Sequence, residues 1–337
     1  MAFEEKTLGE LLSDPRISLV ASDAIKNMDL RQDEKWNKTL AQLKEEHFGG
    51  GLGSGFERLF AAAESGEWYF PLYSVSECRE DTARKGVNII WLPSDQPEAD
   101  ERPFILVVPG GGFENVWNLT EGWPVAAQFN RLGYHAFVLT YQVEGDRARL
   151  DKNMEDFARA LRLIRENEGR FRLHADRYIT CGFSAAGYLV CLWNTLEKGY
   201  AAFGLPKPKA TFPLYPFISL KLEVSGFDPN DVTEEEMKEA EEWNLRLYGC
   251  SIFEAMNTVY EIPEHAEGFP PCAIFLTADD QMVSPDNSRI LAAALEKLSI
   301  PCRLEIGPEG GHGFADGSWM CMEGWTERAV RWVESLS

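Results

Sequence analysis

The stretch TCGFSAAGYL, residues 180–189, sets Ser184 among Gly182, Ala185, Ala186 and Gly187, directly after an apolar run. Small residues permit a sharp turn and a close approach of backbones. RYIT before the serine reads as a strand and AAGYLVCLWNTL after it as a helix, so Ser184 falls at a strand-to-helix turn. A serine there is suited to nucleophilic attack. The strained turn exposes its Oγ above the sheet, and the following helix aims N–H groups and the positive end of its dipole at a developing oxyanion. The Gly-x-Ser-x-Gly pattern is met except at its last position, where Ala186 stands and Gly187 follows one step later.

Such a serine needs a base, an acid that orients the base, and donors for the oxyanion. VVPGGGF offers the donors. Gly110, Gly111 and Gly112 follow a buried strand upstream of the serine, and backbone N–H groups there, with that of Ala185, are placed to hold a carbonyl oxygen as it becomes negative. The five histidines are His47, His135, His174, His265 and His312. The first lies in the N-terminal segment, the second opens a strand, the third precedes one and the fourth leaves an insertion. His312 alone, in the glycine-flanked loop PEGGHGF after the last core strand, has the topology of a base for Ser184. The acid should end the preceding strand, in IFLTADDQMVSPDNS. Asp280 is favoured because its spacing to Val283 resembles the Asp-x-x-Val common at this position, Asp279 is the second candidate, and Asp286 reads as a helix N-terminal residue. The order Ser184, Asp280, His312, with the glycine run ahead of all three, points to acyl transfer through a serine.

These residues need elements to position them. From about residue 76 strand-like runs (GVNIIWLPS, PFILVVP, YHAFVLTYQV, RYITCGF, ATFPLYPFI, PCAIFLTADD, PCRLEIG) alternate with helical patterns (NMEDFARALRLIRENEGRF, SRILAAALEKLSI, WTERAVRWVESL). That alternation predicts an α/β chain with a mostly parallel central sheet and helices on both faces. Residues 1–75 read as a helical N-terminal arm, interrupted by GGGLGSG at 49–55. This run lacks a Gly-Lys-Ser/Thr ending and follows no strand, so it reads as a linker or turn rather than a phosphate loop. The catalytic domain would then span 76–337. Residues 219–262 break the alternation with an acidic helical insertion, either a lid over the pocket or a solvated excursion.

Composition excludes several classes of function. The formal net charge of -21 argues against a nucleic-acid or anionic-membrane partner, since both want a basic face. The seven cysteines have no CxxC spacing, which speaks against a disulfide framework and a zinc site. The acidic start, MAFEEKTLGELLSDP, has no signal-peptide core and no run is long enough to span a bilayer, so a cytoplasmic location is expected.

VVPGGGF, CGFSAAGYL, LTADDQMVSPDNS and PEGGHGF resemble the α/β-hydrolase family of bacterial acetyl esterases and feruloyl-esterase-like (xylanase-like) serine esterases, over about residues 86–337. The resemblance implies the α/β-hydrolase fold and hydrolysis of short-chain acyl esters, often acetyl groups on sugars, with no metal and no cofactor. It assigns Ser184 as nucleophile, His312 as base, Asp280 as acid, and Gly111, Gly112 and Ala185 as the oxyanion hole. Family members usually read Ser-Ala-Gly-Gly where this chain has Ser184-Ala185-Ala186-Gly187. Phe113, Trp117 and Trp123 beyond the glycine run, and Trp319 and Trp325 beyond His312, are candidates for substrate contact, by stacking on a sugar or walling an acyl pocket, or else core residues. The rival readings are a serine peptidase of the prolyl-oligopeptidase type, for which the arm is too short and too helical to be a propeller, and a binding protein that has lost catalysis. The partner expected is a small ester or acetylated sugar, with the arm as a candidate homodimer contact.

Overall fold

The apolar runs become eight strands of one sheet: β1 (Tyr69–Pro71), β2 (Asn88–Leu92), β3 (Phe104–Val108), β4 (Ala136–Thr140), β5 (Tyr178–Phe183), β6 (Ala210–Leu214), β7 (Cys272–Thr277) and β8 (Cys302–Gly307). The computed structural model describes residues 3–143, 149–226 and 232–336. The spatial order is β1-β2-β4-β3-β5-β6-β7-β8. β2 is antiparallel to both β1 and β4, and every pairing from β4 to β8 is parallel. β2 to β7 are buried along their whole length, as continuous apolar strands must be when both faces are covered. On one side the helices Leu52–Ser65, Trp123–Arg131 and Trp325–Glu334 pack on one another. Elsewhere Arg149–Glu166 packs on Ala185–Trp193, which lies on β5 and β6.

β1 falls in the segment that reads as wholly helical. Three residues are too few to show a period of two, and only the pairing of Tyr69, Phe70 and Pro71 with Ile90, Ile89 and Asn88 defines the strand. The rest of the arm is a chain of short helices and tight turns. Capping boxes at Thr7/Glu10 and Thr39/Gln42 start two of them, each supplying reciprocal partners to otherwise unpaired N–H groups. Leu8, Leu11, Leu12, Ile17 and Val20 are buried in the same continuous core as the sheet, so the arm's apolar side is covered within one chain. The run 49–55 is not a linker: the helix Leu52–Ser65 starts inside it.

The insertion forms helices Leu220–Ser225, Glu234–Tyr248 and Ile252–Ala255, the second packed against Arg149–Glu166. No helix among the described residues is long and apolar enough to cross a membrane.

Candidate active site

β5 ends at Phe183 and the helix Ala185–Trp193 begins two residues later, leaving Ser184 alone at the turn with φ 51° and ψ -119°. That conformation is costly for a residue with a Cβ and persists only where the surroundings hold it. They do so by close approach. A Cβ on Gly182 would strike the Ala186 carbonyl and come within 2.7 Å of Val190, so strand and helix can meet only over a glycine. Ala186 is fully buried and fits, which explains why alanine serves at the last position of the pattern. The Ser184 N–H donates to the Leu214 carbonyl (2.9 Å) and fixes the turn to β6.

The three residues drawn from separate parts of the sequence meet here. His312 Nε2 lies 2.8 Å from Ser184 Oγ, and His312 Nδ1 lies 2.7 Å from Asp280 Oδ2. The other oxygen, Asp280 Oδ1, accepts the N–H groups of Met282 and Val283, both at 2.9 Å. Burial works to raise the Asp280 pKa, but the hydrogen bonds from His312, Val283 and Met282 outweigh it and hold the carboxyl below its usual range. Asp279 points elsewhere. It accepts the N–H groups of Gly311 (2.9 Å) and Gly310 (3.1 Å), which lower its pKa and anchor the loop that carries His312. Asp286 is the first residue of the helix Asp286–Lys297, as read.

The glycine run turns sharply after β3, with Gly111 at φ 137° and Gly112 at φ 63°. Among the described residues, no acceptor is recorded for the N–H groups of Gly111, Gly112 and Ala185. Unpaired donors beside Ser184 are what an oxyanion site requires.

A cavity of about 550 Å³ opens over Ser184, a size usual for small-molecule sites. Trp117 and Trp319 line it, together with Gly111, Gly112 and His312. Phe113 does not. It is buried, and its ring packs edge-on against Tyr188 at 6.1 Å. Trp123 and Trp325 are buried in the core and do not line the cavity. No described residue of 219–262 lines the cavity either, so the lid reading of the insertion gains no contact here. The wall comes instead from the arm, through His47, Phe48, Gly49 and Gly50.

Sequence reasoning also missed Glu121. The residues Asn118–Gly122 form one wide π-helical turn before Trp123–Arg131, a feature common at functional sites. Glu121 in that turn is buried. Its Oε2 accepts the Gly110 N–H (2.6 Å) and its Oε1 the Tyr215 hydroxyl (2.8 Å). Tyr215 in turn accepts the Ala315 N–H (3.2 Å), and its ring lies 4.8 Å from that of His312. One carboxylate thus ties the glycine run to the His312 loop. Burial raises the Glu121 pKa, opposed by those two donors and by His312 nearby. The available signal was a lone carboxylate in the apolar stretch VWNLTEGWPVAAQF. No group of three His, Cys, Asp or Glu side chains among the described residues is placed to hold a metal ion.

The sheet order and the Ser184–His312–Asp280 arrangement define an α/β-hydrolase. The chain belongs to the BD-FAE family, whose model matches residues 90–295. It is 28% identical over 229 residues to endo-1,4-beta-xylanase B of Butyrivibrio fibrisolvens, which covers 67% of this chain and 34% of that protein. It is 27% identical over 227 residues to an acetylxylan esterase of Xylanibacter ruminicola, covering 66% of this chain and 43% of that protein. The chain therefore spans less than half the length of either relative. Among solved structures it is similar to an acetyl ester-xyloside bifunctional hydrolase from Caldicellulosiruptor lactoaceticus, with 26% identity and a TM-score of 0.62 over 80% of this chain and 96% of that one.

Proposed function

We propose that this protein is a serine carboxylester hydrolase acting on short-chain acyl esters, with acetyl groups on carbohydrates as its substrates. The observation that carries the reading is the unbroken relay from Ser184 Oγ through both nitrogens of His312 to Asp280. The acetylxylan esterase and the acetyl ester-xyloside hydrolase among its relatives support the acetyl and sugar parts.

In this reading His312 Nε2 takes the Ser184 proton as Oγ attacks the ester carbonyl. The carbonyl oxygen becomes negative and is held by the N–H groups of Gly111, Gly112 and Ala185. Asp280 keeps a proton on His312 Nδ1, so that Nε2 is free to act as base, and stabilises the imidazolium that results. His312 then protonates the leaving alcohol. Water repeats the attack on the acyl-enzyme and releases the acid. The helix Ala185–Trp193 adds the positive end of its dipole at the oxyanion.

The test is hydrolysis of 4-nitrophenyl acetate, butyrate and octanoate, followed by acetylated xylo-oligosaccharides. Turnover should fall with acyl length, and acetate should be released from the oligosaccharides. Faster turnover of octanoate than of acetate would overturn the short-acyl reading.

Glu121 acts in this scheme as a positioning residue. Glutamine can keep its oxygen on the Gly110 N–H, but its amide then turns a donor to Tyr215 and the Tyr215 O–H loses its acceptor. Glu121→Gln is expected to lower kcat by about 10- to 100-fold, the scale for a small displacement of reacting groups, with KM changed much less. Steady-state kinetics on 4-nitrophenyl acetate read the split. A rise in KM at constant kcat would show that Glu121 serves substrate binding instead.

A further inference from the structure

The N-terminal arm lies outside the region matched by the family model, yet it supplies one wall of the cavity. Its glycine run is shaped for that contact. A Cβ on Gly50 would come within 2.6 Å of Ser318 Cβ and 2.8 Å of the Trp319 ring, and one on Gly51 would strike the Asp316 carboxylate. The seam therefore joins the arm to the loop that continues from His312. Backbone strain gathers there as well. Nine non-glycine residues have positive φ among the described residues, and four of them, His47, Ser184, Ala315 and Trp319, line this cavity. Strain held in this way marks positions the surroundings fix for a purpose. Trp319 is 48% exposed despite its strained backbone, with the Lys44 ammonium 4.2 Å from its ring centre.

We propose that His47 and Phe48 of the arm, with Trp319, form the leaving-group subsite and hold a sugar ring of the ester. This rests on the esterase reading above. The leaving alcohol must lie beside His312 Nε2 to receive its proton, and so on the side of the cavity built by the His312 loop and backed by the arm. An exposed indole offers a face for a pyranose ring, and the His47 nitrogens are hydrogen-bonding partners for its hydroxyls. The arm is thus a specificity device carried by this chain in addition to the family's own residues.

His47 is exposed, so His47→Ala should fold normally, and Trp319→Ala is the second variant. Both are to be compared with wild type, in the full chain, on 4-nitrophenyl acetate and on acetylated xylobiose, with Ser184→Ala as reference. The expected result is a loss of kcat/KM on the sugar ester about tenfold greater than on the nitrophenyl ester, mostly through KM. Equal losses on the two esters would overturn the proposal. Turnover of 4-nitrophenyl acetate that survives Ser184→Ala would instead overturn the esterase mechanism, so the two failures are distinct.

Discussion

Ser184→Ala is expected to lower kcat for 4-nitrophenyl acetate by about 10⁵- to 10⁶-fold while the melting temperature stays within a few degrees of wild type. Among the described residues the Ser184 hydroxyl bonds to His312 alone, so its removal costs the fold a single part-buried hydrogen bond. The strained backbone at φ 51° is held by the Ser184 N–H bond to Leu214 and by the tight strand-to-helix contact at Gly182, neither of which involves the hydroxyl. Alanine inherits the same conformation with the same Cβ. The chemistry has no such reserve. Without Oγ no acyl-enzyme forms, and what remains is whatever the backbone donors can do for attack by water. A fluorophosphonate probe gives an independent reading: wild type should be labelled at Ser184 and the alanine variant not at all. An alanine variant that keeps more than a few per cent of wild-type turnover would remove Ser184 from the mechanism.

The residues that meet at Ser184 were legible because each sits at the end of an element with a strong signal. The strands β3, β5 and β7 are continuous buried apolar runs and β8 is an alternating edge strand, and the glycines, the serine, the aspartates and the histidine follow these four. Chain order then predicted who meets whom. What stayed hidden depends on contacts between distant segments. His47 looked remote because it lies in the arm, and nothing in its neighbours says that the arm folds back to the loop beyond His312. The run at 49–55 has the composition of a linker; its need for glycine comes from Ser318, Trp319 and Asp316, more than 260 residues away in sequence. Phe113 and Trp117 are near neighbours after the same strand, yet one packs on Tyr188 and the other lines the cavity. Sequence gives that loop no period from which to tell them apart. Glu121 gave a faint signal that becomes meaningful only when its two partners, Gly110 and Tyr215, are seen on either side of it.

The pair Asp279 and Asp280 separates orientation of the base from support of its loop. Asp280→Asn is expected to cost about 10⁴-fold in kcat, and Asp279→Asn less than about tenfold. The geometry forces the first result. Asp280 Oδ1 accepts two backbone N–H groups, from Met282 and Val283, so the asparagine oxygen is held at that position. Its amide nitrogen is then left facing His312 Nδ1, where the carboxylate had an acceptor at 2.7 Å. A donor there favours the tautomer with its proton on Nε2, and that nitrogen can no longer take the proton of Ser184. Burial of Asp280 prevents water from substituting for the lost acceptor. Asp279 is more exposed, and its bonds run to Gly310 and Gly311 rather than to the ring. An asparagine there keeps one acceptor, and water can serve the N–H that is released, so the loop loosens without changing the tautomer of His312. Steady-state kinetics of the two variants on one ester decide the matter. A large loss in Asp279→Asn beside a small one in Asp280→Asn would exchange their roles, whereas equal large losses would mean that the loop and the ring are fixed as a single unit.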